Sequence, residues 1–137
     1  MAVDMLEHFT VRCISLERTR DFYSEIVGLR VGPRPAFDFA GYWLYLGDQP
    51  VVHLVLESER DDGREPRPAS SEPPETGALD HIAFRGQDLA GTRALLRAGK
   101  IAFKERPVPG KPLHQIFVHD PDGVMIELNF RGIKHDR

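Results

Sequence analysis

The sequence is poor in the features that would mark a secreted, membrane or nucleic-acid-binding protein. It has one cysteine, Cys13, which excludes an intrachain disulfide and a site built from several thiolates. No apolar run approaches the roughly 20 residues of a membrane span, and the N-terminus lacks the basic-then-apolar pattern of a secretory signal. The 18 basic residues are outnumbered by 21 acidic ones, which argues against nucleic acid as a partner. We expect a cytoplasmic protein with no membrane partner.

The remaining composition is that of an ordinary folded domain. Apolar residues make up 41% of the chain and charged residues 28%, as is usual for globular proteins. With 137 residues, the chain suits one domain or two small halves that share a core.

An internal repeat is the most informative feature of the sequence. Residues 8–29 match residues 81–102 at a constant separation, and the segments share five identities. The identical pairs are His8/His81, Arg12/Arg85, Leu16/Leu89, Thr19/Thr92 and Arg20/Arg93. Duplication of one unit is the simplest explanation, and we expect one domain made of a first module (1–57), a flexible linker (58–77) and a second module (78–137).

Each half shows the pattern strand, helix and three strands. Alternation of apolar and polar residues predicts the strands, while N-caps and terminal glycines predict the limits of the helices. In the first half the strands are Leu6–Cys13, Arg30–Phe37, Gly41–Leu46 and Val51–Glu57, and the helix of about 12 residues runs from Ser15 to Gly28. In the second half the strands are Leu79–Arg85, a strand from about Ile101, His114–Val118 and Val124–Phe130, and the helix runs from Asp88 to Gly99. The sequence therefore predicts an α+β fold of two paired βαβββ modules that form a curved mixed sheet.

Four polar residues occupy equivalent strands of the two halves. Each alternates with apolar neighbours and should project from the face that the helices leave uncovered; the four are His8, His53, His81 and Glu127. Three imidazoles and one carboxylate suit one divalent ion per site, namely Zn, Ni, Co, Fe or Mn. The alternative is that each histidine only forms hydrogen bonds on a half-exposed sheet.

Several stretches together resemble the vicinal-oxygen-chelate superfamily, which includes glyoxalases, extradiol dioxygenases and the fosfomycin and bleomycin resistance proteins. They are LEHFTVRC at 6–13, TRDFYSEIVGL at 19–29, VVHLVLE at 51–57, LDHIAF at 79–84 and DPDGVMIELNF at 120–130. The resemblance implies a homodimer and a metal inside the cupped sheet. It places His8, His81 and Glu127 on the constant ligand positions and His53 on the variable fourth position.

The resemblance leaves the reaction open. In a glyoxalase-like lyase or isomerase, His53 or Glu127 would move a proton on a small substrate that the metal binds through two oxygens. In an extradiol-type dioxygenase with Fe or Mn, His53 would act as acid or base beside the other three residues. A third possibility is a non-catalytic protein that binds a small ligand, as bleomycin-resistance relatives do.

Further residues are candidates for substrate binding. The glyoxalase-like position of Arg12 implies a partner for a substrate carboxylate, whereas Glu57 stands where glutathione-binding relatives carry Asn. Thr10 is compatible with relatives that open epoxides with a thiol. Trp43 belongs to an aromatic stretch that could line a pocket, and we expect Lys111 and His114 on a loop beside the site.

Overall fold

The first half of the chain folds as a four-stranded mixed sheet with one helical segment. The structure, a computed structural model, describes residues 2–59 and 76–134. The strands are β1 (Phe9–Cys13), β2 (Arg30–Gly32), β3 (Gly41–Leu46) and β4 (Gln49–Leu56), in the sheet order β1-β4-β3-β2. β1 is parallel to β4, and the other neighbours are antiparallel.

The second half repeats this plan. Its strands are β5 (Ile82–Gly86), β6 (Phe103–Pro107), β7 (Leu113–His119) and β8 (Met125–Arg131), in the order β5-β8-β7-β6. β5 is parallel to β8, and helix α2 (Leu89–Ala98) follows β5. The chain divides into two compact units, Met1–Pro73 and Pro74–Arg137. The α+β fold of two βαβββ modules is thus confirmed.

The helix of the first unit differs in detail from the prediction. Ser15 caps helix α1 (Leu16–Asp21) as expected, but the helix continues as a π-helical turn, Phe22–Ile26. The adjacent rings of Phe22 and Tyr23 are both buried, and the wider turn lets two consecutive residues face the core. In the second unit the Asp88 carboxylate accepts the Gly91 N–H at 3.0 Å, and the helix ends at Gly99, so both predicted limits are confirmed.

Several strand boundaries differ from the prediction, most of all the end of β2 and the starts of β1 and β5. β2 stops at Gly32, because Pro33 and Pro35 cannot donate backbone hydrogen bonds to a sheet. β1 and β5 start later than expected, since their pairing begins at Phe9 with Val52 and at Ile82 with Ile126. His8 and His81 therefore stand one residue before a strand. Most of the predicted linker, residues 60–75, lies outside the described residues, and Glu57–Glu59 forms a short 3₁₀ turn.

Each sheet buries one face and leaves polar side chains on the other. The buried residues of the first unit include Val11, Cys13, Leu44, Val52 and Leu54, and those of the second include Leu96, Ile116, Val118, Ile126, Leu128 and Phe130. We call the opposite face of each sheet its polar face. On strictly alternating strands His53 and Glu127 fall on that face, as predicted.

Candidate metal-binding half-sites

Parallel pairing of β1 and β4 brings His8 and His53 together in the first unit. Thr10 is the register partner of His53, and His8 lies two residues earlier on the same side. The two imidazoles stack with ring centroids 3.7 Å apart and planes 9° from parallel. This pair is the first half-site.

Trp43 covers the other face of His53. It is the cross-strand partner of His53 on β3, and its ring stacks on the imidazole at 4.0 Å and 12°. His53 Nε2 lies 3.1 Å from the carbonyl oxygen of Pro50, which fits a donated N–H and leaves the lone pair on Nδ1. Burial, and then repulsion by His8, lower the pKa of His53. The neutral imidazole is the form that binds metals and accepts protons.

The equivalent strands of the second unit bring together His81 and Glu127. Glu127 pairs in register with Ala83, two residues beyond His81. His81 Nε2 and Glu127 Oε1 are 3.7 Å apart, and the Glu127 side chain is only 12% exposed. We call this pair the second half-site.

In each half-site, the histidine that precedes a strand has a carboxylate next to its Nδ1 atom. His8 Nδ1 lies 3.2 Å from Glu7 Oε1, and His81 Nδ1 lies 2.6 Å from Asp80 Oδ2. The Asp80 hydrogen bond is the main cause of the raised pKa of His81, with Glu127 adding to it. A carboxylate on Nδ1 fixes the tautomer that exposes the Nε2 lone pair, as in metal sites where a carboxylate orients a histidine ligand. In that tautomer the Nε2 atom of each histidine carries the lone pair.

Two side-chain amides hold the carboxylate of Glu127. Gln115 Nε2 donates to Glu127 Oε1 at 3.2 Å, and Asn129 Nδ2 donates to Glu127 Oε2 at 2.9 Å. Gln115 Nε2 also donates to Asn129 Oδ1 at 3.0 Å. Arg106 Nε donates to Gln115 Oε1 at 2.9 Å, and because arginine can only donate, it dictates which end of the Gln115 amide faces Glu127. The network fixes Glu127 in one orientation.

Sequence reasoning missed Gln115 and Asn129. Both lie on the polar face, where they are register partners on β7 and β8. Asn129 stands two residues after Glu127, so alternation alone could have placed it beside the carboxylate. Gln115 required knowledge of the β7–β8 register.

The donors in the two half-sites suit a divalent cation. Imidazole nitrogens and a carboxylate are the usual ligands of Zn(II) and its neighbours in the first transition row. Within residues 2–59 and 76–134, no three His, Cys, Asp or Glu side chains form a group that could hold a metal ion. The structure thus shows two donor pairs, one in each unit.

Comparison with known families agrees with this fold and residue pattern. The model of the Glyoxalase/Bleomycin resistance protein/Dioxygenase superfamily matches residues 5–128. The chain belongs to this superfamily.

Individual members of the superfamily are moderately similar to the chain. "Glyoxylase I 4" of Arabidopsis thaliana is 29% identical over 90% of this chain and 68% of its own length. "Glyoxalase I" of Saccharomyces cerevisiae is 30% identical over 90% of this chain, which spans 44% of that protein. The crystal structure of a glyoxalase/dioxygenase from Nostoc punctiforme has a TM-score of 0.72 at 22% identity, covering 93% of this chain and 90% of that one.

Two further predicted site residues of this superfamily member lie on the polar face of the first unit. Thr10 and Arg12 are on the same side of β1, and Thr10 is exposed beside His53. Arg12 Nε lies 3.7 Å from Glu57 Oε2, and the Glu57 side chain is 4% exposed. The guanidinium thus already faces a carboxylate of the protein itself.

The structure places Lys111 in a loop, as expected, but His114 on a strand. His114 alternates with Gln115 on β7 and shares the buried face with Ile116, so it points away from Glu127. Its Nε2 lies 3.3 Å from both Arg93 Nη2 and Glu105 Oε2. Lys111 is exposed in the connection between β6 and β7.

No helix in the described parts of the chain has the length and apolarity needed to cross a membrane.

Proposed function

We propose that the protein is a metal-dependent glyoxalase-like lyase or isomerase that transfers a proton on a small substrate bound through two oxygens. The observation that carries the proposal is the pair of equivalent half-sites, His8 with His53 and His81 with Glu127. The name of the Arabidopsis relative, "Glyoxylase I 4", supports the glyoxalase-like class. We further propose that the protein acts as a homodimer, as the superfamily resemblance implies.

The proposed site residues have two roles, which are to hold the cation and to transfer the proton. His8, His81 and Glu127 would hold the cation, with His53 as fourth ligand or as base. The cation would acidify a C–H next to the bound carbonyl by stabilising negative charge on oxygen. His53, whose pKa is lowered by burial, or Glu127 would accept the proton from one carbon and return it to the neighbouring carbon.

Glu57 bears on the choice of substrate. It is buried and ion-pairs with Arg12, which makes this guanidinium a weaker partner for a substrate carboxylate than an uncompensated arginine would be. We therefore expect poor use of glutathione adducts that depend on Arg12 for charge recognition.

An extradiol-type dioxygenase is the second candidate. The observation that favours it is the position of His53, stacked between His8 and Trp43 with Nε2 directed at Pro50 O. The lone pair of an imidazole lies in the ring plane, so two face-to-face rings do not aim their nitrogens at a common point. This arrangement supports His53 as an acid or base beside a three-residue set.

Elemental analysis of the untagged protein, purified without chelator, tests these alternatives beside His8→Ala and His53→Ala. About one Ni, Zn or Co per chain, reduced in both variants, supports four-ligand glyoxalase-type chemistry. Fe or Mn that is retained in His53→Ala but lost in His8→Ala supports the dioxygenase. A protein that binds no metal but retains a small ligand would instead be a non-catalytic binding protein.

A further inference from the structure

The two units carry opposite charges at one equivalent position. Arg12 and Arg85 are repeat partners, and four residues after His53 and Glu127 stand Glu57 and Arg131, respectively. In the first unit, Arg12 forms an ion pair with the buried Glu57. In the second unit, the same place holds a second arginine.

Arg85 and Arg131 lie close together on the polar face of the second sheet. Arg85 is the register partner of Asn129 on β8, and Arg131 is two residues further along the same side of that strand. Among the salt bridges of residues 2–59 and 76–134, none involves either guanidinium. Two like charges on adjacent strands repel each other, so a bound anion would relieve the repulsion.

A cavity of about 350 Å³ opens where the parallel strands β5 and β8 end. Both arginines line it, together with the apolar residues Leu89, Phe130 and Ile133. Asp88 also lines it, and its carboxylate, which accepts the Gly91 N–H at the start of α2, offsets part of the positive charge. The cavity therefore combines a cationic pair with an apolar wall.

We propose that Arg85 and Arg131 form a binding site for the oxyanion of a small molecule with an apolar body. Planar guanidinium groups form paired hydrogen bonds with phosphate or carboxylate oxygens, and the apolar wall accommodates the remaining carbon skeleton. The site needs no metal and goes beyond the proposed function. Charge inversion at Glu57 explains why only the second unit offers it.

Phenyl phosphate is the probe that matches both parts of the cavity. Its binding is measured by amide chemical-shift changes in ¹⁵N-labelled protein, with phenol and inorganic phosphate as separate ligands. We expect phenyl phosphate to bind more tightly than either, with shifts centred on Gly86 and Gln87. Arg85→Met and Arg131→Met should each weaken binding about tenfold, as the loss of a charge-assisted hydrogen bond does. Arg97→Met in the last turn of α2 should leave it unchanged.

Arg131→Glu gives the second unit the charge pattern of the first. It should abolish phenyl phosphate binding while the amide spectrum and the urea unfolding midpoint show an intact fold, since Arg85 gains a carboxylate neighbour. All titrations include EDTA, so the result does not depend on the metal-binding proposal. Equal affinity of the wild type and Arg85→Met, or equal binding of phenol and phenyl phosphate, would overturn the oxyanion site.

Discussion

The two units share a backbone plan but differ in the charge of their polar faces. The first half-site is a stack of aromatic rings in which burial and His8 lower the pKa of His53. The second is an imidazole next to a carboxylate, and hydrogen bonding to Asp80 raises the pKa of His81. The two units thus share their strand faces but carry different side chains there, namely two imidazoles in the first and an imidazole with a carboxylate in the second.

The two units should differ most in their effect on metal affinity when each loses the proposed ligand on its last strand, His53 on β4 or Glu127 on β8. Glu127→Leu should weaken Co(II) binding by more than about 100-fold, since it removes the only carboxylate among the four proposed ligands and leaves the Asn129 amide without its acceptor. His53→Gln should weaken it far less, because the carboxylate of Glu127 and the two histidines on the other constant positions remain. Isothermal titration of metal-free protein with Co(II) measures both, and equal losses would show that the two half-sites contribute alike.

The amide network around Glu127 has no counterpart among the contacts of His53. Asn129→Leu and Gln115→Met nearly preserve volume but remove the donors to the carboxylate, and each should reduce Co(II) affinity about 10- to 100-fold. Arg106→Lys keeps a donor for Gln115 and should stay near wild type, whereas Arg106→Met should not. If the variants change the urea unfolding midpoint but not Co(II) affinity, the network is only structural.

The ring stack of the first unit can be followed through Trp43, the one tryptophan of the chain. In metal-free protein its fluorescence should fall as His53 becomes protonated, with a midpoint below the ordinary histidine value of 6.5. His8→Gln removes a repelling neighbour and should raise that midpoint. A pH titration of His53→Gln is the control, and an unchanged transition there would rule out His53 as its source.

The smallest effect is expected at the repeat partners Arg20 and Arg93. Arg93 donates to Glu105 at 2.8 Å, which lowers the pKa of Glu105, with His114 adding to the effect. A lowered carboxylate pKa stabilises the fold at pH values above the unfolded pKa of about 4.5, and that contribution is lost as the pH falls through the folded pKa.

Glu105→Gln should therefore reduce the free energy of unfolding by about 1 kcal/mol at neutral pH and by less at about pH 3. Asp21→Asn, which removes the acidic partner of Arg20, should reduce it by less, because Asp21 is more exposed than Glu105. Urea titrations at both pH values make the comparison. A Glu105→Gln deficit that does not shrink in acid would mean that the ion pair is not its cause.

The local sequence pattern predicted those features of the fold that depend on alternation along strands and on the caps of helices. The faces of His53 and Glu127 follow from the period of two along a strand, and Ser15 and Asp88 begin their helices as expected. Alternation would also have placed His114 correctly, because His114 and Ile116 lie on the same side of β7. The prediction that His114 lies on a loop was therefore wrong.

Contacts between distant segments could not be predicted in the same way. The Gln115–Glu127 hydrogen bond depends on the β7–β8 register, and the Arg12–Glu57 pair depends on parallel pairing of segments more than 40 residues apart. The π-helical turn depends on burying Phe22 and Tyr23 against the sheet, which is a tertiary effect that overrides helical spacing.

The hairpin turn between β7 and β8 determines which face of the sheet Glu127 occupies. The Asp120 side chain accepts the N–H groups of Asp122 at 2.8 Å and Val124 at 2.9 Å, and Gly123 takes a positive φ of 94°. Inserting or deleting one residue here would slide β8 by one position and turn Glu127 toward the core, exchanging it with Ile126. Length changes in this loop should therefore be tolerated far less than its surface position suggests, because the length of the loop determines the register of β8.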